Sequence, residues 1–228
     1  MSETAERDRT REDFDDDDDK ASPLILGNIK PRKKGTQQAR WIRFLKRLLH
    51  VLLRPQSFWE DALEDRHQSL SEILFPHTVV LIFVRALAGF VGALLGGSTF
   101  AQALANFGSS LLSWFALVFT FAFIVGFVVS ARGGQIGETR AWRYAAYGLA
   151  PLFAVGIFAA IPLPYVAPVA ELIAMPYTFY VMGLGLVPIF GLKAERAPAL
   201  VGLLCGLLLV LWGVMPTLVP IVVHALTH

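Results

Sequence analysis

The chain has 228 residues, 55% of them hydrophobic, and a formal net charge of +2. The charges are unevenly placed, because residues 1–73 contain 14 of the 20 Lys and Arg and 15 of the 18 Asp and Glu. The remaining residues, about 155, expose too little charge for a soluble domain, which excludes a wholly soluble protein. The single cysteine, Cys205, excludes an intrachain disulfide and a cysteine-based metal site. We therefore predict a polar N-terminal region followed by a membrane domain.

Residues 1–39 have the composition of a disordered, charged cytoplasmic tail, with few aromatic side chains. The acidic run Asp15–Lys20 includes the recognition sequence of enterokinase. It is therefore either an engineered cleavage site or a native solvated run. A basic cluster follows at Lys30–Lys34. We recognise no signal peptide, because the N-terminus is acidic and has no apolar segment, so membrane insertion is expected to depend on the spans themselves.

Residues 40–73 are predicted to contain a basic amphipathic helix and then a short acidic helix. In Arg40–Arg54 the apolar side chains follow helical spacing on one face, and the basic side chains follow it on another. The arginines that follow helical spacing on this second face are Arg40, Arg43, Arg47 and Arg54. Such a helix is typical of the membrane interface, with its cations toward anionic head groups. The alternative is a helix that packs against the loops of the membrane domain. Pro55 ends this helix, and the acidic helix Phe58–Asp65 follows.

The membrane domain, residues 74–228, contains five apolar stretches that could cross the ~30 Å hydrocarbon core as helices. They lie at residues 74–96, 108–130, 145–164, 172–190 and 199–226. The fifth stretch is long and contains Pro216, so we expect a tilt or a break near that proline. The motifs Gly92-xxx-Gly96 and Gly202-xxx-Gly206 favour close helix packing, either within the chain or between two copies.

The basic residues of the loops predict which way the bundle faces. The loops after spans two and four, Ala131–Arg143 and Gly191–Pro198, contain Lys or Arg, whereas the loops after spans one and three contain neither. The positive-inside rule then makes the N-terminus cytoplasmic and the C-terminus extracytoplasmic. The predicted fold class is an all-α, polytopic membrane helical bundle with five transmembrane helices.

The membrane domain lacks the residue clusters of catalytic and metal sites. Its three carboxylates are assigned to loops: Glu138 and Glu195 on the cytoplasmic side and Glu171 on the outer side. No His-Glu-x-x-His, Gly-x-Ser-x-Gly or Walker sequence is present, and no carboxylate pair. We therefore predict that the protein is not an enzyme, needs no metal or cofactor and has no nucleic-acid partner.

Arg85 is the one charge predicted in the middle of a span, where a charge costs ~2.5–3.5 kcal/mol. Since no carboxylate is assigned to a span, its expected partners are carbonyls released by prolines. These are the carbonyls of Tyr147, Phe158 and Trp212. One hypothesis makes Arg85 functional, as a site for an anion or a lipid phosphate or as a gating charge. The other makes it structural, or a side chain that snorkels because span one begins earlier.

Tyr147, Tyr177 and Tyr180 complete the candidate polar site. Tyr147 clusters with Trp142 and Tyr144 at one end of span three, where aromatic side chains are typical of the membrane interface. Tyr177 and Tyr180 are three residues apart in span four and share a helix face. We expect both to form hydrogen bonds inside the bundle; the alternative is that they line a ligand site.

The stretch GGQIGETRAWRYAAYGLAPLFAVGIFAAIPLPYV resembles the central segment of the Yip1-domain family. In that pattern a Gly-rich loop leads into a helix with aromatic and Ala residues, an Ala-Pro step and a second Pro. The matching positions are Gly133, Gly134, Tyr144, Ala145, Ala150, Pro151, Ile161 and Pro162. The segments RPQSFWEDALED and MGLGLVPIFGLKAERA are also similar to the family, so the resemblance covers about residues 52–226.

The resemblance implies five spans and a cytoplasmic N-terminus, as the loop charges also predict. Eukaryotic members are associated with Golgi and ER vesicle traffic and with prenylated Rab GTPases, whereas prokaryotic members have no settled activity. The short tail is closer to the prokaryotic type. A bacterial inner (plasma) membrane is therefore expected, and the trafficking role is not carried over.

The leading hypothesis is a non-enzymatic membrane protein that organises the membrane or recruits partners through its tail, amphipathic helix and loops. Its expected partners are membrane lipids with anionic head groups, and also a protein partner or a second copy of the chain. One alternative is a small channel or transporter with a midplane site near Arg85. Another is a small subunit of a larger membrane complex.

Overall fold

The computed structural model describes residues 37–64, 70–134 and 138–227. The predicted tail lies almost wholly outside these ranges, together with the acidic run Asp15–Lys20. The side chain of Arg40 is also outside the description. All the elements in the described ranges are helical.

Nine α-helices and three tighter or wider turns follow one another along the described ranges. The α-helices are α1 Gln37–Leu53, α2 Pro55–Glu64, α3 Leu70–Ile73, α4 Val79–Leu95, α5 Phe100–Ala131, α6 Glu138–Gly148, α7 Ala150–Val155, α8 Val166–Phe190 and α9 Ala197–Thr227. A π-helical turn, Leu74–Thr78, precedes α4. Two 3-10 turns, Gly156–Ala160 and Ala194–Arg196, follow α7 and precede α9.

Five stretches of the described chain are long and apolar enough to cross a membrane. They are Leu74–Leu95, Phe100–Ala131, Thr139–Ala160, Val166–Phe190 and Ala194–Val222, called spans one to five below. This finding confirms the predicted all-α bundle with five membrane helices. The side of the membrane on which the N-terminus lies stays a prediction.

Spans two and four begin earlier than the sequence indicated. In span two, the Thr99 hydroxyl accepts a hydrogen bond from the Gln102 backbone N–H (3.3 Å), and the Gln102 side chain accepts one from the Thr99 N–H (3.0 Å). This capping box starts α5 at Phe100, in a stretch that was predicted to belong to the loop after span one. In span four, α8 begins at Val166 and so includes residues that were predicted to form the outer loop.

Proline interrupts the helix of span three but not that of span five. Span three consists of α6, α7 and a 3-10 turn, because Pro151 lies at the start of α7 and gives up the backbone donor that a continuous helix would need. Span five remains one α-helix through Pro216 and Pro220, so the break considered there does not occur. Span three is also the most enclosed: 67% of its most apolar stretch is buried, whereas the corresponding share in the other spans is 22–44%. The broken span is therefore the centre of the bundle.

Candidate functional site

Arg85 in α4 forms an ion pair with Glu171 in α8, inside the bundle. Their side chains are only 12% and 4% exposed, so both charges are largely removed from solvent and lipid. The second carboxylate oxygen of Glu171 accepts a hydrogen bond from Nε1 of Trp212 in α9, at 2.7 Å. Each carboxylate oxygen therefore has its own donor, as a buried carboxylate requires.

Two further contacts hold the Arg85 side chain. Its Cζ lies 3.7 Å from the centroid of the Trp114 ring in α5, within the range of a cation–π interaction. Its aliphatic part runs against the backbone of Gly156, where an added Cβ would come within 2.6 Å of the Arg85 Cδ. Arg85, Trp114, Gly156, Glu171 and Trp212 therefore come one from each span. We call them the five-span cluster.

The prediction that no carboxylate in a span could pair with Arg85 was wrong. Glu171 was assigned to the outer loop, but α8 already includes it. The partner of Arg85 is this carboxylate, in place of the expected carbonyls of Tyr147, Phe158 and Trp212. Trp212 takes part through its indole N–H.

The five-span cluster favours a structural role for Arg85 over an anion site. The positive charge is balanced by Glu171, so the pair enters the membrane without net charge. The remaining face of the guanidinium lies on Trp114. An anion bound at Arg85 would compete with Glu171 for the guanidinium and would leave an excess negative charge buried in the cluster.

The three candidate tyrosines lie away from the five-span cluster. Tyr147 is 2% exposed and its ring contacts those of Phe58 (4.9 Å between centroids) and His77 (4.6 Å). Tyr177 and Tyr180 lie on the surface of α8 with their rings 6.0 Å apart. The expectation that this pair would form hydrogen bonds inside the bundle was wrong, because both side chains are exposed.

Tyr177 instead connects α8 with the C-terminal end of α1. Its hydroxyl donates to the carbonyl of Leu52, at 2.5 Å. Leu52 is near the end of α1, where the chain turns into α2. This bond was not predictable from the sequence, because no pattern places α1 against the middle of α8.

The residues that carry the family resemblance form two structural joints. The first is at the end of α5, where Gly133 has a φ of +76° and Gly134 lies against the Val129 side chain with no room for a Cβ. The second is the break in span three, where Ala150 and Pro151 are buried at the start of α7. Pro162 differs from these, because it is exposed in the segment before α8.

Tyr144, another of these residues, helps to hold α2 in the bundle. Its hydroxyl donates to the carbonyl of Met182 (3.0 Å), and its ring lies 6.0 Å from that of Trp59 in α2. Trp59 is 1% exposed and donates from Nε1 to the carbonyl of Val181 (2.8 Å). Its ring occupies the space beside Gly185, where an added Cβ would come within 2.5 Å. These contacts fix α2 along α8.

Helix α1 has three sectors around its axis. The buried sector packs on the bundle through Phe44 and Val51, which are 8% and 0% exposed. The exposed apolar sector consists of Trp41, Ile42, Leu45, Leu49 and Leu53, which are 47–74% exposed. The basic sector consists of Arg43, Lys46 and Arg47, and Arg54 directly follows the helix. The predicted single apolar face is thus divided, and one part packs on the bundle while the other stays exposed.

The comparison with protein families accords with this architecture. A family model of the Yip1 domain matches residues 49–215, which is well over half of the chain. The matched range begins in α1 and includes every residue of the five-span cluster. No curated protein and no solved structure is significantly similar to the chain. The match confirms the resemblance that the loop and span-three residues indicated, and the chain therefore belongs to the Yip1 domain family of multi-pass integral membrane proteins.

Proposed function

We propose that the protein is a non-enzymatic organiser of the membrane surface, located in a bacterial inner membrane, and that α1 lies in the interfacial region of the cytoplasmic leaflet. The observation that carries the proposal is the exposed apolar sector of α1, which lies beside the basic sector on the same helix. Anionic lipid head groups are the proposed partners of the basic sector.

The energetics of the exposed apolar sector favour lipid over water. Complete burial of one large apolar side chain is worth ~1.5–3 kcal/mol. The five side chains of this sector are about half exposed or more, so their transfer into the acyl-chain boundary is worth several kcal/mol in total. Each basic side chain near an anionic surface adds ~1 kcal/mol. Embedding this side of α1 therefore stabilises the protein on an anionic leaflet.

Two competing hypotheses would use the same surface. A protein partner, or a second copy of the chain, could cover the exposed apolar sector in place of lipid. The transport hypothesis receives no such support, because Arg85 is paired with Glu171 and stacked on Trp114. The choice between lipid and protein on α1 is therefore the useful experiment.

The experiment places an environment-sensitive fluorophore on two adjacent residues of α1. Leu45→Cys and Lys46→Cys are made separately in a Cys205→Ser background, and the full chain is reconstituted into phosphatidylcholine vesicles with one-fifth phosphatidylglycerol. We expect blue-shifted emission at position 45, quenched by brominated lipid, and solvent-like emission at position 46. Bromine on phosphatidylglycerol should quench position 45 more, per brominated lipid, than bromine on phosphatidylcholine.

The alternative outcomes are distinct. Solvent-like emission at both positions would place α1 off the membrane and contradict the proposal. A blue shift at position 45 without quenching by brominated lipid would show that protein covers the sector, which favours recruitment or self-association. Equal quenching by the two brominated lipids would remove anionic head groups from the proposal.

A further inference from the structure

The exposed apolar side chains of α8 occupy only part of its length. Its exposed large apolar side chains begin just before the helix, at Tyr165, and end at Tyr180. At 1.5 Å per residue this stretch is about 22 Å long, which is shorter than the ~30 Å hydrocarbon core of a bilayer. From Val181 to Phe190 every residue of α8 is buried or half-buried.

Helix α2 covers this second half of α8 and presents a polar surface outward. Trp59 bonds to Val181 and lies beside Gly185, as described above. The opposite side of α2 exposes Glu60 and Asp61. A carboxylate in hydrocarbon costs ~2.5–3.5 kcal/mol, so this side of α2 belongs in water or among head groups.

The far side of the bundle is apolar in the same layer. Arg143 in α6 donates to the carbonyl of Ala62 in α2, at 2.7 Å, and the preceding residue, Trp142, contacts Phe119 of α5 edge to face, with ring centroids 4.7 Å apart. Phe119 therefore lies at about the height of the acidic side of α2. Phe123 and Phe127 follow Phe119 toward the C-terminal end of α5, and they are 76% and 71% exposed.

The two sides of the bundle therefore offer lipid contacts of different height. On α5 the exposed apolar side chains extend from Phe100 to Phe127, about 40 Å along the helix at 1.5 Å per residue, and the exposed Gln102 and Asn106 lie among those at the N-terminal end. On α8 they extend for about 22 Å. Tilt of α5 can reduce the height of its exposed apolar surface across the bilayer, but the polar side of α2 and the phenylalanines of α5 still share one layer.

The position of α1 agrees with this difference. Tyr177 bonds to Leu52, so the C-terminal end of α1 lies beside the middle of α8. That point is about 20 Å short of the α8 C-terminus at Phe190, at 1.5 Å per residue. A helix with a basic sector at this height marks the surface of the bilayer there.

We infer that, at the α1 end of the bundle, the hydrocarbon boundary lies closer to the bilayer centre beside α2 and α8 than beside α5. We call this difference in height the step. The protein thus thins the bilayer on one side, and the lipids beside α8 are drawn toward the opposite leaflet. Mismatch of this kind costs a fraction of a kcal/mol per Å, which the apolar contacts of α1 help to offset. The inference deepens the proposed function and rests on it in placing α1 at the bilayer surface.

The test compares two labels in one layer on opposite sides of the bundle. Glu60→Cys and Phe123→Cys are made separately in the Cys205→Ser background and carry nitroxide spin labels; both positions are exposed, so the fold is preserved. The full chain is reconstituted in phosphatidylcholine vesicles with 18-carbon chains and one-fifth phosphatidylglycerol. We expect a several-fold higher collision rate with an aqueous nickel chelate at position 60, and a several-fold higher rate with oxygen at position 123.

A control and a third label complete the test. In a lipid-free detergent solution that coats the bundle evenly, the difference in collision rates between the labels at positions 60 and 123 should shrink. A label at Tyr180→Cys should report a depth near the bilayer surface although it lies in the middle third of α8. Equal collision rates at positions 60 and 123 in vesicles would overturn the inference, and so would a label at position 60 that is shielded from nickel.

The two proposals fail separately. If position 45 of α1 lies in lipid while positions 60 and 123 report one depth, the step is refuted and the proposed function stands. If position 45 is in water while positions 60 and 123 differ as expected, the step stands and the proposed role of α1 is refuted.

Discussion

Replacement of Glu171 by Gln removes the negative charge of the five-span cluster and changes little else. The Gln side chain has the same shape, and its carbonyl oxygen can still accept the bond from Trp212. What remains is a positive charge on Arg85, buried without its partner. Breaking a buried ion pair in this way typically costs ~3–5 kcal/mol. We expect Glu171→Gln to lower the free energy of unfolding by about that amount.

The matched control removes both charges at once. In Arg85→Met with Glu171→Gln, an apolar chain lies on Trp114 and Gly156, and no charge is left in the five-span cluster. Replacement of both members of a buried pair by neutral groups is often neutral or stabilising. The double variant should therefore recover most of the stability that the single variant loses.

Unfolding of the purified full chain in mixed detergent, followed by circular dichroism, measures these differences. A cost below ~1 kcal/mol for Glu171→Gln would refute the reasoning, because it would mean that Arg85 is solvated elsewhere. Additive losses in the double variant would also refute it, since they would show no coupling between the two side chains. In vesicles loaded with an anionic dye, the wild type should release no more dye than protein-free vesicles. Release that Arg85→Met abolishes would support the transport hypothesis.

Three further substitutions test the packing. Gly92→Ala should lower the melting temperature, because the added Cβ would overlap the carbonyl oxygen of Ala159. The control Gly206→Ala should leave the melting temperature unchanged or slightly raised, because nothing lies within 4 Å of a Cβ at that position. Equal effects would contradict the close approach of spans one and three. Trp59→Phe keeps a ring in α2 but removes the indole N–H that donates to the Val181 carbonyl, which should cost ~0.5–1.5 kcal/mol and hasten proteolysis of the α1–α2 segment. Unchanged proteolysis would show that this bond does not hold α2.

The sequence was sufficient for the number of spans. Length and apolar content decide whether a helix can cross a bilayer, and both are local properties. The helix starts were harder, because a membrane helix can extend beyond the hydrocarbon through polar residues such as Gln102 and Asn106. The segmented form of span three was foreshadowed by its prolines, but Pro216 and Pro220 show that the same residue can also lie in a continuous helix.

The charge of Arg85 in the middle of a span was visible in the sequence. Its partner Glu171 was not recognised, because the predicted start of span four was one residue too late. The predicted span four began directly after Glu171. A periodicity argument would have found it, since Glu171 shares a helical face with Met175, Thr178 and Met182, which are all buried. The contributions of Trp114 and Gly156 depend on how the spans pack, and no local pattern encodes that.

The division of α1 into three sectors also required tertiary structure. The sequence distinguishes apolar from basic positions, so it predicted two faces. It does not distinguish an apolar side chain that packs on the bundle, such as Phe44, from one that stays exposed, such as Leu45. Only the placement of α1 against the bundle separates them.

The docking of α2 has a consequence for the order of biosynthesis. Trp59 binds to Val181, which follows it by 122 residues. At ~5–20 residues per second the ribosome needs roughly 6–25 s to make the chain between them. During that interval α1 and α2 have been made, but the residues of α8 that bind α2 do not yet exist. If α1 binds lipid as proposed, its exposed apolar sector and basic sector hold the nascent α1–α2 segment on the leaflet until span four is made.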